Sequence, residues 1–215
     1  MFRALLFDLD GTLLDTLDDL AGSMNRVLAR RGWPVHEVRD FRYFVGDGAR
    51  VLVSRTLPEE HRDAATVQAC LQEFRADYDR NWHVKTRPYE GVAELLDELE
   101  RRGLPKAVLS NKPHDFTARC VEQLLPRWRF DPVLGLSDDR PAKPDPGGAL
   151  EIAGQLGIAP EEFLYVGDTS IDMKTALAAG MHPVGVLWGF RPREELERSG
   201  AGTLLAHPME LVQWL

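Results

Sequence analysis

The sequence predicts an α/β protein built on a parallel sheet, and three observations carry that reading. Short apolar runs of strand length alternate with segments of helical period along most of the chain. The runs Arg3 to Phe7, Lys106 to Leu109, Phe163 to Val166 and Val184 to Leu187 are continuous rather than alternating, as strands covered on both faces require. The helical segments between them stop at glycines, which tolerate the left-handed residue that ends a helix.

The first strand ends abruptly in Asp8-Leu-Asp10-Gly11-Thr12. Residues i and i+2 of a strand share a side, so Asp8 and Asp10 project together. Two carboxylates that close repel unless a cation or an acid–base role separates them. The pair therefore asks for a divalent metal, a proton-transfer role, or both. Gly11 supplies the positive φ of a tight turn.

Residues 16 to about 84 interrupt the alternation. Leu17, Leu20, Met24, Val27 and Leu28 form one helical face closed by Gly32, and Val35 to Tyr43 and Gly48 to Thr56 read as further helices. Val67 to Arg80 carries Leu71, Phe74 and Tyr78 at helical spacing. The segment is a helical insertion between the first strand and the first core helix, with linkers near Asp15-Thr16 and His83 to Pro88.

Beyond it, Val92, Leu95, Leu96 and Leu99 recur at i, i+3, i+4 and i+7, with Gly103 as the stop. The strand at 106 leads into Ser110-Asn111-Lys112, and a further strand is expected near Pro132 to Leu136. Ala149 to Leu156 is a helix ended by Gly157. The strand at 163 leads into Gly167-Asp168-Thr-Ser-Ile-Asp172, and the helix Ile171 to Ala179 ends at Gly180. After the last apolar run, Trp188 to Arg191 is a loop before a helix begun at Pro192. Taken singly, Ser110-Asn111 also reads as a helix N-cap region, and Asp168 and Asp172 as an N-cap and a first-turn acid. Lys143 alone reads as a solvated loop lysine.

Bulk properties set bounds. The 215 residues can bury a real core, and 44% hydrophobic with 28% charged residues is ordinary for a globular protein. A formal net charge of −8 argues against a nucleic-acid surface. It leaves an anionic small molecule open, because a metal and a few donors invert the field of one pocket. Cys70 and Cys120 have neither metal nor redox spacing, so free thiols in a reducing compartment are expected. Asp8 and Asp10 interrupt the apolar start, which is neither a secretory h-region nor a membrane span. A cytoplasmic location without membrane contact is the expectation.

The segment Asp8-Leu-Asp10-Gly-Thr12 resembles the first motif of the haloacid dehalogenase superfamily. Ser110-Asn111-Lys112, Lys143-Pro-Asp-Pro146 and Gly167-Asp168-Thr-Ser-Ile-Asp172 are similar to its other motifs, in order. The resemblance implies a Rossmann-like parallel sheet core with helices on both faces, at 1–15 and 85–215, and an inserted helical cap domain at 16–84. It implies Mg²⁺ bound by the Asp8 and Asp168 carboxylates and the Asp10 backbone carbonyl, with Thr12 and Asp172 behind them. Asp8 would take a phosphoryl group as an aspartyl-phosphate. Asp10 would protonate the leaving alkoxide and then deprotonate water. Ser110, Asn111 and Lys143 would neutralise the phosphoryl oxygens, Lys143 as a point charge.

Further segments resemble the phosphoglycolate phosphatase group: Val45-Gly-Asp-Gly-Ala-Arg50, Pro88-Tyr-Glu-Gly-Val92, Ser110-Asn-Lys-Pro113 and Trp188-Gly-Phe-Arg191. Glu90 stands where that group usually has proline. Arg50 or Arg55 could meet a substrate carboxylate. The expectation is Mg²⁺-dependent hydrolysis of a small, phosphoglycolate-like phosphomonoester by a monomer or homodimer. Asp10 argues against carbon–halogen chemistry, since true dehalogenases of the superfamily lack an acid there. A β-phosphoglucomutase-like phosphomutase shares all four motifs, and a non-catalytic binding relative is the alternative from another class.

Overall fold

The computed structural model describes residues 2–215. The chain divides into two compact units, one running to Leu14 and resuming at Pro88–Leu215, the other Asp15–Arg87. It passes between them at β2 (Leu14–Asp15) and again at β3 (Arg87–Pro88), and these two short strands pair.

The larger unit begins with β1 (Ala4–Phe7), every residue of which is buried. Between the two crossings lie α1 (Leu17–Arg30), α2 (Phe41–Phe44), α3 (Ala49–Thr56) and α4 (Ala64–Asn81) of the smaller unit. The larger unit continues through α5 (Val92–Arg101), β4 (Lys106–Pro113), α6 (His114–Leu124), β5 (Val133–Leu136) and α7 (Gly147–Leu156). It ends with β6 (Phe163–Gly167), α8 (Ser170–Ala179), β7 (His182–Val186), α9 (Arg193–Arg198) and β8 (Thr203–Leu205).

Six strands form one parallel sheet in the order β5-β4-β1-β6-β7-β8. It is the doubly wound α/β sheet the alternation predicts. The core beside it is Leu6, Leu109, Phe163 and Tyr165 from strands, with Ala149, Ile152, Ala153 and Ala176 from α7 and α8. Small residues on those helices let them lie close to the strands. On α5, Val92, Leu95, Leu96 and Leu99 are the buried stripe.

The order of strands positions the site. The chain steps from β1 outward through β4 to β5, then returns to the other side of β1 for β6, β7 and β8. Loops at the carboxyl ends of strands diverge at such a switch point and leave a crevice. Phe7 is level with Val108 on one side and Val166 on the other. Asp8 leaves β1 and Asp168 leaves β6 at nearly the same level, while β4 runs on beside them through Pro113.

The structure departs from expectation in several places. The β4 strand runs on through Pro113, with α6 beginning at His114, so Ser110-Asn111 is strand rather than helix cap. Its register with β5 shifts between Leu109 and Pro113. The N-cap of α8 is Thr169, not Asp168, and Asp172 closes a capping box with it. Val35 to Tyr43 is only a 3₁₀ turn at Val38–Asp40 followed by the four-residue α2. The short strand β8 carries no expectation at all; Thr203-Leu-Leu is too brief for a periodic signal.

In the smaller unit, α1 buries Leu17, Leu20, Met24, Val27 and Leu28, and α4 buries Val67, Leu71, Phe74 and Tyr78. Asp77 of α4 lies among them, its Oδ1 accepting from Arg26 at 2.6 Å and its Oδ2 from Arg30 at 3.2 Å. No helix of the described residues is long and apolar enough to cross a membrane.

Candidate active site

Asp8, the first residue past β1, is buried and has its backbone N–H on Val166 O at 2.9 Å. Asp168 and Asp172 follow β6, and both are fully buried. One carboxylate oxygen from each of the three lies within 4.8 Å of the others. Lys143, also buried, reaches them: its Nζ is 2.7 Å from Asp172 Oδ1 and 2.9 Å from Asp8 Oδ1. Its Nζ donates to Asp172 Oδ1 and to Leu109 O, 3.1 Å away, whereas Asp8 Oδ1 lies within ion-pair distance without a well-aligned hydrogen bond.

Three buried carboxylates against one ammonium leave a deficit of positive charge. Burial pushes the Asp8 carboxyl up to about 7, the Asp172 charge adds to this, and Lys143 only partly offsets it. Asp168 is likewise raised, by burial and then by Asp172 and Asp8, against the Phe190 N–H and the Thr12 hydroxyl. Burial alone would lower Lys143, but Asp172 and Asp8 reverse that and hold it well above its ordinary value. A hard cation with oxygen ligands is what this donor set lacks, and Mg²⁺ fits it.

Each member is held by the fold. Asn111 grips the Lys143 backbone from both sides, its Nδ2 donating to Lys143 O at 3.0 Å and its Oδ1 accepting from Lys143 N at 2.8 Å. Asp172 Oδ2 accepts from Thr169 N and Thr169 Oγ1, which leaves Oδ1 for Lys143. Asp168 takes Thr12 Oγ1 on Oδ1 at 3.2 Å and Phe190 N on Oδ2 at 2.7 Å. Gly11, at φ +86°, has no room for a side chain, since a Cβ would sit 2.3 Å from Asp168 Oδ2.

The loop 188–191 belongs to the site more firmly than its sequence suggests. Trp188 Nε1 donates to Thr12 O at 2.9 Å, and a Cβ on Gly189 would collide with Asp168 and with Gly11 O. The signal was its place: a loop following β7, next to β6, must open at the same edge.

Asp10 parts company with Asp8. Its carboxylate is held by Lys112, whose Nζ lies 3.0 Å from Oδ1 and 3.2 Å from Oδ2. Sequence reasoning quotes Lys112 within a motif and gives it no role. Ser110 is buried, and its Oγ accepts from Lys112 N at 3.2 Å. In the smaller unit, Arg55 pairs with Asp47 at 2.6 Å and Arg50 bonds to Gln68, so both arginines have partners of their own.

Comparison with known proteins agrees with this geometry. Residues 5–186 match the model of the haloacid dehalogenase-like hydrolase family. A phosphoglycolate phosphatase of Pseudomonas putida is 35% identical over 192 residues, 87% of this chain and 70% of that protein. An N-acetylmuramic acid 6-phosphate phosphatase of Pseudomonas aeruginosa is 33% identical over 214 residues, 99% of this chain and 94% of that one. A crystal structure from Lactobacillus delbrueckii subsp. bulgaricus, of a protein named only provisionally as a phosphoglycolate phosphatase, superposes with a TM-score of 0.92. It is 29% identical and covers 99% of this chain and 98% of its own. The chain belongs to the haloacid dehalogenase-like hydrolase family.

Proposed function

We propose that the protein is a Mg²⁺-dependent phosphomonoester hydrolase acting through an aspartyl-phosphate on Asp8. The observation that supports this best is the buried cluster of Asp8, Asp168 and Asp172 at the carboxyl ends of the adjacent strands β1 and β6, joined by Lys143 from the segment between β5 and α7. Asp8 and Asp168 would hold the ion, with the Asp10 carbonyl; Asp172 holds Lys143. When bound, Mg²⁺ supplies the positive charge that lets Asp8 ionise beside a phosphate dianion.

An Asp8 carboxylate oxygen attacks phosphorus, and the bond from phosphorus to the ester oxygen breaks. Asp10 starts this step protonated and gives its proton to the departing alkoxide; the carboxylate so formed then takes a proton from the water that attacks the phosphoenzyme and frees Asp8 and inorganic phosphate. Lys143 meets the phosphoryl oxygens, and Ser110 offers its hydroxyl to them. Asn111 acts by fixing the Lys143 backbone.

The substrate we assign is a small phosphate ester of phosphoglycolate type. Two relatives are named for phosphoglycolate and for N-acetylmuramic acid 6-phosphate, both esters of molecules that also carry an acid. Residues 16–84 are assigned as a helical cap that selects the leaving group and excludes water.

The test is phosphate release across a panel of phosphorylated acids, sugars and nucleotides, with Mg²⁺ and with EDTA. Release that needs the metal and favours an acid-bearing ester is expected. Isomerisation without net phosphate release, dependent on a bisphosphate activator, would make the protein a mutase. No turnover of any ester, p-nitrophenyl phosphate included, would make it a binding relative.

A further inference from the structure

We infer that Lys112 is a positioning residue that aims the Asp10 carboxylate at the leaving-group oxygen. This rests on the hydrolase reading above, in which Asp10 is the general acid. Asp10 stands two residues past Asp8, and the side chain it bonds to is Lys112, through both oxygens. The ammonium is almost wholly buried, its side chain 4% exposed, whereas that of Asp10 is 12% exposed. Burying a lysine is costly, and a buried pair is a poor source of stability. The arrangement makes more sense as a mount than as a brace.

The mount is itself rigid. Lys112 lies where the register of β4 against β5 shifts, an irregularity that re-aims a strand side chain. Its backbone N–H is on Ser110 Oγ at 3.2 Å, and its carbonyl accepts from Thr117 Oγ1 at 3.1 Å. Pro113 follows and restricts it to extended backbone. A Cβ on Gly135 would lie 2.8 Å from Lys112 O, so β5 packs directly against the segment. Within electrostatic range of the pair, burial pushes the Cys120 thiol up to about 11, so it stays neutral.

An acid that must meet one oxygen gains by being oriented beforehand, and a misplacement of an ångström costs ~10²-fold. A leaving group that departs readily as an anion needs little protonation, so misdirecting Asp10 should spare it. The role predicts a loss that grows with the basicity of the leaving group. A purely structural role, or a phosphoryl contact, predicts an equal loss for all.

The experiment measures kcat/KM with Mg²⁺ for a series of aryl and alkyl phosphates, because this ratio reports the step in which the ester bond breaks. Lys112→Met should lose ~10²-fold on alkyl phosphates and far less on p-nitrophenyl phosphate. Asp10→Asn should show the same slope, and adding Lys112→Met to it should cost little more, since the two act as one unit. Lys112→Arg should recover most of the loss, and it keeps the test open if the methionine variant folds poorly. Equal losses across the series, or independent losses in the double variant, would overturn the inference and leave the hydrolase reading standing. So would a rise in KM alone for acid-bearing esters, which would make Lys112 a substrate contact. A wild-type protein inert toward every ester would instead sink the hydrolase reading itself.

Discussion

Two buried aspartates, Asp8 in the parallel-sheet unit and Asp77 in the helical unit, answer their surroundings in opposite ways. Asp77 has two guanidinium groups on its oxygens and a further donor in Asn81 Nδ2 at 3.2 Å. Burial works against its ionisation, yet Arg26 and Arg30 win and hold its carboxyl below the ordinary value. Asp8 shares one ammonium with Asp172, and its carboxyl is pushed up to about 7. The Asp77 carboxylate is matched by cations, and the Asp8 cluster has too few. A deficit kept in a close-packed interior marks the place where something else is meant to bind.

The largest expected effect comes from Asp8→Asn. Phosphate release should fall by more than ~10³-fold, because an amide cannot serve as the nucleophile. The fold should hold, and in EDTA the variant should melt no lower than wild type, since a carboxylate under repulsion is gone. The same contrast has a pH signature. Asp8 titrates at about 7 when folded and near 3.8 when unfolded, so the folded state binds the extra proton between those values. Metal-free wild type should therefore lose stability as the pH rises from about 4 to about 7, by up to about 1.4 kcal/mol per pH unit for that proton. Asp8→Asn should flatten this slope. Denaturant melts in EDTA that steepen or stay unchanged in the variant would contradict the assignment.

Lys143→Met comes next. It leaves Asp8 and Asp172 without their buried cation, so we expect a loss of about 3–5 kcal/mol in stability. Activity should fall by ~10²–10³-fold through lost transition-state stabilisation. Adding Asp172→Asn should restore much of the stability and none of the rate. A double variant as active as wild type would remove Lys143 from the chemistry.

Asp77→Ala should cost about 2–3 kcal/mol, less than a fully buried pair because Arg26 and Arg30 reach solvent. Its pH dependence has the reverse sign: a carboxyl held low stabilises the fold above its unfolded pKa, and that support goes as the pH falls. Turnover at temperatures where the variant is folded should be normal. A kcat changed more than a few-fold would break the distinction between the two aspartates. Smallest of all, Glu162→Gln should shift stability by under about 0.5 kcal/mol, since its partner Arg3 is 60% exposed.

Much of the larger unit is legible in the sequence because its signals are local. The strands that end in Asp8 and Asp168 are short apolar runs, and the glycines at 157 and 180 end α7 and α8 in the left-handed conformation expected of them. What escapes is pairing across distance. Nothing near Lys112 announces that its ammonium will meet Asp10, 102 positions earlier. Phe190 N–H is a backbone donor with no sequence signature, and it reaches Asp168 only because β7 lies beside β6. The Asn111 amide also grips the Lys143 backbone, a role its residue type allows and its neighbours do not reveal. In the helical unit, Val35 to Tyr43 has apolar spacing without the helix, because Pro34 and a 3₁₀ turn take up that stretch.

The central position of β1 has a consequence for how the protein is made. Phe7 pairs with Val108 and Val166, which leave the ribosome some hundred and more residues later. Until β4 has been synthesised the first strand has no neighbour in the sheet, and one of its edges stays open until β6 follows. The strand that leads into Asp8 is thus made well before either of its neighbours. A nascent chain stalled before β6 would hold Asp8, Asp10, Ser110 and Lys143 yet lack Asp168, and so could not complete the carboxylate cluster however well it had collapsed.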